Sequence, residues 1–593
     1  MVTGEKKQPA LSGGPPSEGL EKAARQELER LLSSSLFSRA HQLWPVLEAI
    51  VEQSLGNHET LPSEKSIGRA ALGRNFDPTS DSTVRVRLRE IRNKLGQYYR
   101  SAGAGDPIEI QVPKGGYKAR FVRRKVGPIE IRPTEKSKPA SPLKIGVVPF
   151  LALVDGISEE FGFNAALLLS QILGSAPGIA VHSSPVLLNV HGPDASLREV
   201  SNSFGLSQVV QGTICPVDGF LKATVNLTDT ASQTITWSDG FECDIADFGF
   251  VRRIADAIAS RFAHVEPGSL RHLIIPDNAI AADHYCRGVR SWAERTPRSV
   301  SEAESHFRLA AAADPKHAAT YAGLANCALF RAILGQRPSD LAPVAIEMAA
   351  RAVGCDPDSA DAHAVLGAVR SIFQHDWPAA EAEYRVAAQL NPDSVDLLGW
   401  YSGHLAVLGR FDEAIRTARR LEVLDAHSPF ITAHVAKVFY FCGEYDAASS
   451  RLESIIALAP QMDMAHGFLG MALCAGGDIA RGIGHLERAA DLTDRADGYI
   501  GLLGHYLAKL GKVLRAQEIA QELESRSAVG YVPATQIAIV WAGLGQIDKV
   551  FRCLNQAVED NDFYLSLLKI WPPFQVVRDD PRFVAVLQRL RLA

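Results

Sequence analysis

Between Asp81 and Arg100 the chain reads DSTVRVRLREIRNKLGQYYR, with six basic side chains (Arg85, Arg87, Arg89, Arg92, Lys94 and Arg100) against one interior acid, Glu90. The 593-residue chain as a whole carries a formal net charge of −5. From Val84 to Lys125, by contrast, 12 Lys/Arg stand against 3 Asp/Glu, a local charge of +9. Arginine brings positive charge to phosphate oxygens and a planar fork that fits a guanine edge. The chemistry on offer is the gripping of a polyanion.

Other chemistries find less support. The sequence has no G-x-x-x-x-G-K-[ST] loop, no G-x-S-x-G elbow and no H-E-x-x-H pair. The glycines of FGFNAALL and GSAPG lack the strand–loop–helix setting and the lysine of a phosphate cradle. His363, His404, His434, His466, His485 and His505 fall within helical repeats, where half-buried helix residues are expected rather than ligands. Glu159 and Glu160 open a helix, where acids suit the dipole, and no partner acid stands out. The eight cysteines are scattered singly with no C-x-x-C pair, which argues against a zinc site or a disulfide framework and for buried thiols in a reducing compartment. The expectation is a protein that is not an enzyme and needs no cofactor or metal.

The elements that would position the basic residues read as helix, helix, helix, hairpin. LFSRAHQLWPVLEAIVEQSL is an amphipathic helix interrupted near Pro45, and SEKSIGRAALG is a short helix begun by a capping serine. After a turn at Asn75-Phe76-Asp77-Pro78, Asp81 or Ser82 caps the third helix. On it Val84, Leu88, Ile91, Leu95 and Tyr99 follow helical spacing as one buried stripe. Arg85, Arg89 and Arg92 border the stripe on one side, Arg87 and Lys94 on the other. IEIQVPKGGYKARF then alternates as a β-hairpin around Pro113-Lys114-Gly115-Gly116.

In this order TVRVRLREIRNKL and IQVPKGGYKARF resemble the recognition helix and wing of the winged-helix output domain of OmpR/PhoB-type response regulators. NFDP and VPKGGY are closer still to winged-helix domains fused to TolB-like and repeat regions. The resemblance covers roughly residues 37–122 and implies double-stranded DNA as a partner, with Arg85, Arg87, Arg89, Arg92, Lys94, Lys114, Lys118 and Arg120 as the contacts. Glu90 departs from the basic residue usual in that family, and no receiver domain with a phospho-accepting aspartate is present.

Further on, glycines recur every 34 residues at Gly409, Gly443, Gly477, Gly511 and Gly545. A bulky apolar residue follows two places later (Phe411, Tyr445, Ile479, Val513, Ile547), with Trp377 in phase one unit earlier. Small residues follow at Ala380, Ala414, Ala448, Gly482 and Ala516. A 34-residue helix–turn–helix unit of this kind resembles the tetratricopeptide repeat, and such units stack into a superhelix with a concave surface. Units ending at Pro315 and Pro357 agree in part. In the middle region KIGVVPF, SQVVQGTI, LKATVNLTD and TITWSDGFE read as strands. FGFNAALLLSQILGSAPG, SLREVSNSFG and DFGFVRRIADAIASRFA read as helices. Their β-α-β-α-β-β-β-α order resembles a TolB-like domain.

The expected architecture is therefore multidomain and mainly α. It comprises a disordered tail (1–24), a winged helix-turn-helix domain of α+β class (25–125), a linker (126–143), a small α/β TolB-like domain (144–264) and a tetratricopeptide α-solenoid (280–593). No apolar run reaches the roughly 18–20 residues that span a bilayer. The N-terminus lacks the apolar core of a signal peptide, and the expected location is the cytoplasm. The function expected is a DNA-binding transcriptional regulator whose middle and repeat regions receive a protein or peptide signal on the concave surface, a homodimer being a further expectation. The alternatives are a repeat scaffold whose basic domain binds RNA or an acidic partner, and an enzyme with an unrecognised site in the middle region.

Overall fold

The computed structural model describes residues 18–33, 37, 40–55, 62–73, 76–78, 81–99, 108–113, 116–123, 143–153, 159–175, 179–182, 205–217, 220–243, 248–262, 270, 275–276, 278–424 and 428–593. Of the linker expected at 126–143, residues 126–142 lie outside the described residues and Leu143 opens a strand; the helix expected at SLREVSNSFG also lies outside them, apart from Gly205. The chain divides into two compact units, residues 1–130 and 131–593.

The first unit contains helices α1 (Glu18–Ser33), α2 (Trp44–Leu55), α3 (Glu64–Leu72) and α4 (Thr83–Tyr98), then strands β1 (Ile108–Gln111) and β2 (Arg120–Arg123). The tail expected to run to residue 24 gives way to α1 at Glu18. Ala24, Leu28, Leu31 and Leu32 are buried on one helical stripe, a pattern obscured in the sequence by the Gly/Pro-rich residues before it. Pro45 does not interrupt a helix but sits in the first turn of α2, where its missing N–H is not needed. Ser63 caps α3: its Oγ accepts the Ser66 N–H (3.2 Å) while Ser66 Oγ accepts the Ser63 N–H (2.9 Å). Asp81 Oδ1 accepts the Thr83 N–H at the start of α4 (2.8 Å). The strands pair antiparallel from Ile108↔Arg123 to Gln111↔Arg120.

The second unit opens with a mixed sheet. Strands β3 (Leu143–Val147), β4 (Leu151–Ala152), β5 (Ile179–His182), β6 (Gln208–Val217), β7 (Phe220–Asp229) and β8 (Thr234–Cys243) form it, in the order β5-β3-β6-β7-β8 with β4 also on β6. β5, β3 and β6 run parallel, and β6, β7 and β8 form an antiparallel meander. Helices α5 (Glu159–Gly174) and α6 (Gly249–Ala259) contribute Leu168, Ile172, Ile254 and Ile258 to the core beneath it. The sheet region and the repeats, expected as separate domains, share one continuous core. Asn164 Nδ2 donates to Asp283 (3.1 Å), Gln171 Nε2 donates to the Tyr285 hydroxyl (3.0 Å), and Glu160 pairs with Arg287 (2.7 Å).

Among the described residues from Ala279 to Asp560 the chain forms eight successive helical hairpins. The 34-residue glycine period has one local cause. Gly409, Gly443, Gly477, Gly511 and Gly545 each end the first helix of a hairpin with φ between +70° and +103°. The next residue's N–H then reaches back five positions, as from Arg410 to Leu405 O and from Asp478 to Leu473 O, 2.9 Å each. This is the glycine C-cap geometry, which a Cβ disfavours. Upstream, Arg295, Gly335 and His375 hold the positive-φ place at intervals of 40 residues, and two of the three are not glycine. That is why the period fades there.

The superhelix curls tightly enough to close. Asn326 of the second hairpin donates to Asp396 of the fourth (2.9 Å), and Trp400 Nε1 donates back to Asn326 Oδ1 (3.1 Å). The Arg295 guanidinium, at the first hairpin's turn, lies 4.7 Å from the Phe430 ring of the fifth. Contacts that skip a hairpin form only on the inside of a curve. Beyond the eighth hairpin, the segment through the single turns Phe563–Leu567 and Pro572–Val577 and the helix Pro581–Arg589 lies against the second and third hairpins.

Candidate nucleic-acid interface

Helix α4 presents two opposed faces. Val84, Leu88, Ile91, Leu95 and Tyr99 are buried as their spacing requires. On the other side Ser82, Arg85, Val86, Arg89 and Asn93 are exposed at helical spacing, and Val86 is an apolar side chain 63% exposed among arginines.

The expected contact residues separate by environment. Arg89 is exposed and, among the described residues, has no ion-pair partner. Arg85 is half committed: it pairs with Glu64 (3.0 Å) and donates to Pro78 O (3.0 Å), yet stays 55% exposed. Arg87 and Lys94 are half-buried, whereas Lys118 and Arg120 are exposed on the hairpin. Lys114 lies outside the described residues. Arg92 is the clear departure. Its Nε donates to Val112 O (3.0 Å) and its Nη2 to Pro113 O (2.8 Å) and Gly116 O (2.9 Å), so it clasps the hairpin turn against α4. Burial pulls its pKa down. Arg92 is a positioning residue.

Sequence reasoning missed Glu64, which joins three elements. From the first turn of α3 it receives Arg85 on one oxygen and the Tyr117 hydroxyl of the hairpin on the other (2.9 Å). Ser54 Oγ accepts the Ala119 N–H and the Tyr99 hydroxyl accepts the Ile110 N–H, 2.8 Å each. Together these bonds set the hairpin on the helices. The one available signal was an acid in the first turn of a helix followed, 21 residues later, by an arginine.

Within the repeats, one cluster has the outline of a hydrolase triad. Ser371 Oγ lies 2.9 Å from His404 Nδ1, and His404 Nε2 lies 3.2 Å from Glu381. All three are deeply set, and Ser371 already donates to Gly367 O (3.0 Å). Ser371 Oγ therefore bridges the helix backbone and the His404 ring, and burial lowers the His404 pKa. Arg410, the Tyr401 hydroxyl and Arg385 also donate to Glu381 (2.9, 3.2 and 3.4 Å). The cluster ties hairpins together. Burial pushes the thiols of Cys327, Cys442 and Cys474 up to about 12. Among the described residues no group of three or more His, Cys, Asp or Glu is placed to hold a metal ion, and no helix is long and apolar enough to cross a membrane.

No family model matches the chain, and no curated protein matches it significantly. Solved structures do match, at low overlap. The Cut9–Hcn1 hetero-tetramer of the APC/C aligns at 13% identity and TM-score 0.37, covering 59% of this chain and 61% of that one. A thermophilic TPR protein from Thermus thermophilus aligns at 19% identity and TM-score 0.28, covering 32% of this chain and 99% of that one. YrrB, described as a TPR protein with an unusual peptide-binding site, aligns at 18% identity and TM-score 0.22, covering 31% and 91%. The C-terminal region is a solenoid of helical hairpins whose 34-residue unit resembles the tetratricopeptide repeat.

Proposed function

We propose that the chain is an interaction scaffold whose repeat array holds a protein partner and whose N-terminal unit grips double-stranded DNA. In this reading it works in the cytoplasm as a DNA-binding regulator with a winged-helix unit. The observation that carries the DNA part is the exposed stripe Ser82, Arg85, Val86, Arg89 and Asn93 on a helix whose opposite face is buried. A helix of this kind fits the roughly 12 Å major groove. Arg89 suits a guanine edge or a phosphate, Asn93 an adenine edge, and Val86 a thymine methyl. Lys118 and Arg120 on the hairpin add backbone contacts, which fix register without reading sequence. The sheet region, in its resemblance to TolB-like domains, joins the array in receiving a signal.

A second reading has its own support. Arg92 is committed to the hairpin and Arg85 partly to Glu64, which leaves fewer cations on the helix to enter a duplex groove. The unit would then take RNA or an acidic protein. One titration separates the two: the full chain against a mixed-sequence DNA duplex, a single-stranded RNA and polyglutamate over a range of salt. DNA binding is expected to be tightest, with a log–log salt slope of about −0.9 per phosphate neutralised, and Arg89→Ala should weaken it. A duplex affinity that is flat in salt, or no better than that for polyglutamate, overturns the DNA reading and leaves the scaffold.

A further inference from the structure

We infer that Glu64 sets sequence specificity without touching DNA: it holds Arg85 as a fixed, charge-offset fork that reads a guanine in preference to gripping phosphate. The inference deepens the DNA reading of the first unit and rests on it.

Arg85 lies in the first turn of α4, the part of a recognition helix that meets base edges. It belongs to the exposed stripe with Ser82, Val86, Arg89 and Asn93. Two neighbours hold its guanidinium. Nε sits 3.0 Å from Glu64 Oε1, and Nη2 donates to Pro78 O (3.0 Å). The first contact is an ion pair rather than an aligned hydrogen bond, since the buried Oε1 has no hydrogen-bond partner. Nη1 and the second Nη2 hydrogen have no acceptor among the described residues. Two adjacent donors are what guanine O6 and N7 accept together. The Arg85 side chain is 55% exposed and that of Glu64 only 16%, so the arginine is the member of the pair that can reach a base.

The pairing changes what Arg85 prefers. A phosphate attracts a cation by its charge, at any sequence. A guanine edge carries no net charge and rewards aimed donors. Glu64 offsets the arginine's charge, which weakens the first attraction, and restricts its rotamers, which favours the second. Arg89, one turn further along the same face, is the contrast. It is exposed and, among the described residues, has no ion-pair partner, so it stays free to follow a phosphate. Glu64 is itself held in place. The Tyr117 hydroxyl donates to its Oε2 (2.9 Å), and it stands in the first turn of α3, where an acid suits the helix dipole.

The test uses the full chain and a pool of randomised duplexes. The parent chain selects its preferred duplex, and each G·C pair of that duplex is then exchanged for A·T in turn. The pair read by Arg85 should carry a penalty of about five- to 150-fold. It is recognised because Arg85→Lys, which keeps the charge and loses the fork, abolishes that penalty and leaves the salt slope unchanged. Glu64→Gln should shrink the same penalty by about three- to 30-fold, the upper figure being the rotamer freedom of an unheld arginine. It should also steepen the log–log salt slope by about one, because Arg85 is released to a phosphate. Tyr117→Phe removes the hairpin's bond to Glu64 and keeps the ion pair, so it should alter neither quantity. A thermal melt checks that each variant is folded. Glu64→Asp keeps an acid at the helix start but withdraws it from Arg85 by one methylene, and it serves should Glu64→Gln fail to fold. The role of Glu64 is overturned if a folded Glu64 variant keeps the parent's penalties, if Tyr117→Phe lowers them equally, or if Arg85→Lys abolishes none. A parent chain that selects no duplex overturns the DNA reading itself, and the role of Glu64 with it.

Discussion

Arg92→Ala tests whether this side chain clasps the hairpin or faces a nucleic acid. The substitution removes three charge-assisted hydrogen bonds, to the carbonyls of Val112, Pro113 and Gly116. Bonds of this type contribute about 1.5–3 kcal/mol each. All three come from one half-buried side chain, whose release returns about 2 kcal/mol of rotamer entropy, and the freed carbonyls can turn to water. The expected net loss is about 2–4 kcal/mol of first-unit stability. For a unit of this size that lowers Tm by about 10–20 °C, visible by calorimetry of the full chain as a downward shift of one transition. Arg89→Ala is the control: exposed and, among the described residues, without an ion-pair partner, it should change stability by less than about 0.5 kcal/mol. It should instead lower duplex affinity and reduce the salt slope by about one. The reasoning is refuted if Arg92→Ala leaves the melt unmoved while cutting DNA affinity, for Arg92 would then face the groove with Arg89.

Two further outcomes follow from single positions. Gly443→Ala should cost about 1–2 kcal/mol in a denaturant melt, although a Cβ there meets nothing within 4 Å; its φ of +85° alone sets the cost, and a neutral result would show that the cap geometry does not matter. His363 should contribute stability that is lost on the alkaline side. Burial works against its charge, but Glu383, 2.6 Å away, raises its pKa overall. A raised folded pKa means the contribution is fully present below the unfolded value of about 6.5 and fades as pH rises through the folded one. Melts at acid and alkaline pH should accordingly show a larger alkaline loss for the parent chain than for His363→Gln, and equal losses would refute the pairing.

What the sequence revealed depended on how local its cause was. The α4 stripe was legible because helical spacing alone decides which of Val84, Leu88, Ile91, Leu95 and Tyr99 face inward. The glycine period was legible because one backbone conformation recurs at one place in each unit. The fate of Arg92 was not. Its neighbours on the helix are exposed arginines of the same type, and only the hairpin, some 20 residues later, supplies the carbonyls that claim it. Glu64 was hidden for the same reason, since both its partners come from other elements.

The closure of the array lies further still from local pattern. A repeat fixes the angle between one hairpin and the next, and small changes in that angle accumulate along the stack. Whether the eighth hairpin meets the second therefore depends on the sum of all the steps between them, including the longer units that begin at Arg295 and Gly335. No single residue encodes that sum. Trp377 illustrates the point: it was read from the sequence as a phase marker of the repeat, and its ring is indeed buried in that role. Its Nε1–H, however, is satisfied by Leu590, 213 residues away. The same side chain thus serves the local repeat through its apolar body and the global closure through its one polar atom. That division is why Trp377→Phe, which keeps the first role and deletes the second, can separate stacking from closure.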